Sequence, residues 1–380
     1  MKKRIIALTL ATALLALLAV GVAAGGSASD PLISVAYLTD TLLPALLGKT
    51  EENFAAAGED VNGTISSELA DIQSDAEEQI AKKTAQYDSA APGTELRLKS
   101  GDRLLCQTGA TVMLLAGEAS AESDAGVVVD ATDGTESAQT TLSLRHCYVA
   151  GEDAEAVFTI ASDTAVVTLE GSYYLRESDA VDYNELAQAL KDLGLFRGKD
   201  TAFGSGFALE DKPTRIEGLI MFLRLVGEED DALAFSATCN QFTDVPAWAA
   251  AYTNYAYAKG YTKGVNTGGT LFDTYREIGA KEYMTFVLRA LGYSDSDGDF
   301  SWDTSLEQAA TFGCLSAAER DYFADATFRR AQVAYLSYYA LGAFRRESDF
   351  TLRDQLVGEG VLSYAQATSV MDAVTTARLG

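Results

Sequence analysis

The chain has 380 residues, enough for two or three domains with sizeable cores. Lys and Arg total 29 against 55 Asp and Glu, a net charge of −26. That excludes nucleic acid and anionic membrane surfaces as partners, because both would repel the chain at long range, and any anionic ligand needs a local basic cluster.

Residues 1–28 read as an export signal. Lys2, Lys3 and Arg4 are followed by the apolar run Ile5 to Val22 and then small residues, with cleavage expected near Ala24 or Ala28. At 18 residues the run could also stay as an uncleaved anchor; no other stretch is long and apolar enough to cross a membrane. Residues 29–90 form a leader followed by an amphipathic helix. Its narrow stripe is Ile65, Leu69, Ile72, Ala76 and Ile80, which suits either a stalk or coiled coil, or packing on the neighbouring domain.

From 91 to 176 the hydrophobic period changes to two. Predicted strands are 95–99, 103–106, 111–115, 126–130, 141–149, 156–160, 165–169 and 172–175, divided by turn residues such as Asp133-Gly134 and Gly171-Ser172. The clearest alternation is Leu142, Leu144, His146, Tyr148. Such spacing predicts a small antiparallel β sandwich or barrel. It has a cupin-like or jelly-roll character, but His146 is the only histidine, so no metal chemistry is expected.

Residues 177–380 read as helical. Between Phe242 and Tyr293, Trp248, Tyr252, Tyr255 and Ala256 recur at helical spacing behind Pro246, and Gly260 and Gly264 close that helix. A second helix opens at Gly279 with Met284, Val287, Leu288 and Leu291 on one face. The order F-x-D-V, W-A, Y, A, K-G, G, F, K-E, L-R-A-L-G-Y resembles an S-layer homology repeat, a module that holds bacterial proteins on the cell wall. A copy upstream (182–228) places Gly194 and Gly198 where Gly260 and Gly264 stand, and keeps Glu217 and Arg224 seven apart, as are Glu282 and Arg289. A third, degenerate copy runs from 300 to 344, after the central copy at 242–293. The fold class is therefore multidomain α plus β: a small β sandwich or barrel followed by an all-α domain of three divergent S-layer homology repeats and a helical tail. The resemblance implies a pseudo-threefold helical unit with grooves between repeats that bind a secondary cell wall polysaccharide, often acidic, or peptidoglycan.

In that family the arginine of T-R-x-E lines the groove, and Thr214-Arg215-Ile216-Glu217 matches it. Arg215 can take a carboxylate bidentately. Thr214 and Glu217 form a capping box, a structural role. In the second copy Ala280 replaces the arginine and Lys281 offers a neighbouring point charge, beside the structural Glu282; in the third, Arg330 keeps the arginine and Gln332 replaces the acid. Trp248 either packs a sugar ring or anchors the first helix in the core, and Tyr257 is the tyrosine expected to be exposed. The ligand-binding candidates are thus Arg215, Trp248, Lys281 and Arg330.

Asp295, Asp297 and Asp299 have calcium-loop spacing, but Phe300 and Leu306 stand where an EF-hand needs Gly and Glu. With four cysteines, Cys106–Cys147 and Cys239–Cys314 are the natural disulfides if any form; buried free thiols are the alternative. No nucleophile–base constellation is visible, so the chain is expected to be a non-catalytic protein without cofactors, exported to the cell wall or surface. The alternatives are a protein-interaction or assembly module, and an enzyme with a carboxylate pair hidden in the β-module.

Overall fold

The computed structural model describes residues 38–45, 47–49, 63–70, 72–74, 87–152, 155–201, 204–236 and 241–379. The expected signal segment, Ala76, Ile80 and Cys239 lie outside them. The chain divides into two units, Met1–Ala85 and Gln86–Gly380. In the first, residues 63–70 and 72–74 are helical and Ile65, Leu69 and Ile72 are exposed.

The second unit begins with a nearly closed antiparallel barrel. Its strands are β1 (Asp88–Lys99), β2 (Arg103–Cys106), β3 (Thr111–Ala116), β4 (Ala119–Glu122), β5 (Val128–Asp130), β6 (Thr135–Ser137), β7 (Gln139–Thr141), β8 (Cys147–Ala150), β9 (Ala156–Ile160) and β10 (Thr164–Arg176), in spatial order 6-5-8-3-10-2-9-4-7 with β1 also on β10. Alternation does the sorting: Ala156, Phe158 and Ile160 of β9 point into the core and the residues between them are partly exposed.

Two expectations need correction. Residues 165–169 and 172–175 are one strand, not two. β10 runs through Gly171 at φ 101°, and changes neighbour there, pairing β3 up to Glu170 and β2 from Tyr173. A Cβ at Gly171 would lie 2.8 Å from the Ala110 Cα, so glycine is needed to turn this corner. Conversely 141–149 is not one strand. Arg145 takes φ 66°, which a strand cannot contain, so Leu142–His146 is a loop and Leu144 is exposed. Among the described residues Cys106, Cys147 and Cys314 are free thiols; burial raises the Cys106 and Cys314 pKa values to about 12.

The rest is helical apart from the ribbon β11 (Lys199–Thr201) and β12 (Gly204–Gly206). The helices are α1 (Tyr183–Asp192), α2 (Arg215–Leu225), α3 (Glu229–Ala234), α4 (Ala250–Ala258), α5 (Ala280–Ala290), α6 (Ser305–Thr311), α7 (Ala317–Asp325), α8 (Arg330–Ala340), α9 (Leu352–Gly358) and α10 (Tyr364–Ala373). Helices α2, α5 and α8 touch one another at the centre. Phe222, Tyr283, Phe286 and Tyr335 are fully buried in one core, each phenylalanine contributing about 1.5–3 kcal/mol.

One glycine closure recurs through the helical region, after α1, α2, α4, α5, α6 and α9. After α1, α4 and α6 a glycine (Gly194, Gly260, Gly313) takes φ of 79°, 79° and 76°, and the next residue donates five positions back, to Leu190, Ala256 and Ala309. This closure satisfies free carbonyls at the helix end. The segments entering the central helices are laced together: Arg215 N donates to Arg276 O, Ile278 N to Pro213 O and Arg330 N to Asp211 O.

Candidate functional site

Two adjoining grooves open beside the central helices. The larger, about 970 Å³, is bounded by the start of α2, the loop 263–276, α5 and Trp302. Four cationic side chains line it, Arg215, Lys263, Arg276 and Arg289, against three acidic ones, Asp273, Glu282 and Asp295. In a chain of net charge −26 this is a locally positive site.

Arg215 forms the floor. It is 5% exposed, its Nη1 donates to Glu282 Oε1 at 2.7 Å, and its guanidinium lies 5.0 Å and 5.3 Å from the Phe272 and Phe286 ring centroids. Burial lowers its pKa and Glu282 pulls it back. Arg276 grips the same carboxylate from the solvent side, at 2.6 and 3.0 Å, and its own pKa is raised chiefly by that contact. Glu282 also accepts from Gly279 N, so one residue caps α5 and clamps both arginines. Thr214 and Glu217 form the expected capping box on α2.

Asp295 accepts from Arg289 and Lys263, both at 2.6 Å. These bonds outweigh burial and hold its carboxyl below the usual aspartate range. Asp299 faces Arg346 at 3.0 Å. The calcium-like spacing in this loop therefore presents carboxylates already matched to cations.

Lys281 sits with Ala280 in the smaller groove, of about 490 Å³, and Trp302 lines both grooves. Trp248 is 55% exposed, outside both grooves, with its Nε1 at 3.4 Å from Tyr275 Oη. The core reading for it does not hold. Tyr257 is half-buried and lines the large groove. Arg330 lies elsewhere: it is 5% exposed over the Phe196 ring and donates to Phe207 O at 2.8 Å and to Met221 Sδ. Gln332 is fully buried, accepts from Arg329 N and donates to Asp163 of the barrel.

The structure thus brings Arg215 together with Lys263, Tyr257, Arg276, Arg289 and Trp302, most of which sequence reasoning did not single out. Trp248 and Trp302 each sit in a 3₁₀ turn just ahead of a helix, α4 and α6.

By architecture this is a nearly closed antiparallel β barrel followed by a helical region. No family model matches the chain. Over 137 residues it is 30% identical to a cell surface protein of Thermoanaerobacter kivui, a match covering 36% of this chain and 17% of that protein. Among the described residues no helix is long and apolar enough to cross a membrane.

Proposed function

We propose that the helical region attaches this chain non-covalently to the bacterial cell wall. In this reading three divergent S-layer homology repeats bind an acidic wall polysaccharide in the large groove, and the barrel is held at the surface as a displayed module or spacer. One observation carries it: a groove of four cationic and three acidic side chains in a strongly acidic protein. A carboxylate-bearing polymer repelled elsewhere would find its counter-charge there. Lys263 and Arg276, with side chains 48% and 42% exposed, are the donors an incoming carboxylate meets first. Trp302 and Tyr257 offer faces to sugar rings. The similarity to a protein named for the cell surface supports the location. No catalytic step is proposed.

A second reading is a protein-assembly module. It is favoured by the carboxylate partner that each groove cation already has within the chain. Co-sedimentation with purified sacculi, before and after acid removal of the wall polymer, separates the two. Pelleting that needs the polymer and weakens in Arg276→Ala supports wall binding. Absence of pelleting sinks it and leaves assembly.

A further inference from the structure

The barrel carries a side-chain cluster that the wall-binding reading does not use. Asp130 ends β5, Asp133 sits in the turn before β6, and His146 closes the loop entering β8. One ligand atom from each lies within 4.8 Å of the others. His146 Nδ1 is 2.8 Å from Asp130 Oδ2 and 3.7 Å from Asp133 Oδ2.

The barrel backbone fixes this meeting. Asp130 faces Tyr148 across the β5–β8 ladder, and Ala131 N donates to Cys147 O. Cys147 N donates to Thr132 Oγ1, tying the turn to the first residue of β8, next to the histidine. Arg145, in the left-handed conformation, turns the chain immediately before His146. The other oxygen of Asp130 accepts from Thr132 N at 2.9 Å and Asp133 N at 3.2 Å, so its carboxylate is oriented before any ligand arrives. Side-chain exposure rises from 11% at Asp130 through 25% at His146 to 61% at Asp133, so the cluster opens to solvent on one side.

We propose that Asp130, Asp133 and His146 form a surface site for a borderline divalent transition-metal ion of the zinc class. One imidazole nitrogen and two carboxylate oxygens suit such an ion, and water would complete its shell. Mg²⁺ and Ca²⁺ fit poorly, because hard cations take oxygen ligands and gain little from an imidazole. On binding, the metal takes the place of the proton on Nδ1, which leaves to solvent, and separates Asp130 from the ring.

The test uses the chain's only histidine. Imidazole ¹⁵N shifts of the full chain are followed during Zn²⁺ titration, with Mg²⁺ as the hard-ion comparison. The expected result is a saturable shift at Nδ1 with Zn²⁺ and none with Mg²⁺. Asp133→Asn, an exposed position, should weaken Zn²⁺ binding by about tenfold or more, as loss of a ligand or its support typically does. Cys147→Ser should leave it unchanged. No histidine shift up to millimolar Zn²⁺, an affinity unchanged in Asp133→Asn, or loss of the shift in Cys147→Ser would each overturn the site, the last by assigning the metal to the thiol. Sacculus pelleting does not enter this readout.

Discussion

Arg215 and Arg276 grip the same carboxylate but differ in what their removal costs. Arg215 is buried between Phe272 and Phe286, whereas the Arg276 side chain is 42% exposed. Arg215→Ala should destabilise the fold by roughly 2–4 kcal/mol, because a buried ion pair and its ring contacts are lost while Glu282 stays buried. Arg276→Ala should cost less than Arg215→Ala, because the Arg276 side chain is partly solvated, packs on no ring, and leaves Glu282 still paired with Arg215. Binding and folding can therefore be separated. If the groove takes the wall polymer, both variants lose pelleting but Arg215→Ala lowers the urea midpoint further than Arg276→Ala. Pelleting that survives in Arg276→Ala and Lys263→Ala would mean that the positive rim plays no part.

At the scale of elements, the segment after α10 acts as a strap. Asp182 N donates to Thr376, Thr375 and Thr376 donate backbone N–H groups to Glu185, and Arg378 reaches the fully buried Glu319 with Nε and Nη2 at 2.6 and 2.7 Å. Burial alone would raise the Glu319 pKa; hydrogen bonds from Arg378, Tyr335 and Ser316 outweigh it and hold the pKa below the usual glutamate range. A depressed carboxyl contributes stability at neutral pH that is lost as pH falls below the unfolded value, about 4.3, and through the lower folded one. Arg378→Ala removes the main lowering contact. It should cost roughly 2–4 kcal/mol at neutral pH, and the gap to the parent should shrink in acid. A urea-measured gap independent of pH would refute the pairing. This strap also marks what the sequence leaves hidden. The helical tail is legible in the sequence without its division into 352–358 and 364–373, and the glycine closures and the Thr214–Glu217 cap are local signals that survive into the structure. The contact between Arg378 and Glu319 spans 59 positions, and Arg215 and Glu282 are 67 apart. No periodicity encodes such meetings, which is why Lys263 and Arg276 were not expected in the groove, and why Arg289 was read only as a repeat anchor. Where local pattern misled, at Leu142 to His146, the alternation was real but the backbone turned at Arg145.

For the whole molecule, the decisive fact is that barrel and helices form one unit from Gln86 onward. Asp163, in the turn between β9 and β10, accepts from Gln332 Nε2 at 2.7 Å and Tyr322 Oη at 2.8 Å. Gln332 also caps α8 through Arg329 N, so one buried amide joins a barrel turn to a central helix. A barrel joined in this way moves with the helices rather than swinging on a linker. Asp163→Ala should leave the Gln332 amide and the Tyr322 hydroxyl short of an acceptor, at a cost of about 1–3 kcal/mol, while Asp163→Asn, which keeps an oxygen, should cost less. Both tryptophans, Trp248 and Trp302, lie in the helical region. Their fluorescence therefore reports on the helices, and the imidazole NMR signals of His146, the chain's only histidine, report on the barrel. With the two parts coupled, both signals fall in one transition and shift together in Asp163→Ala. Separate transitions in the parent would show that the barrel unfolds on its own, and the junction at Asp163 would then be a contact of little mechanical consequence.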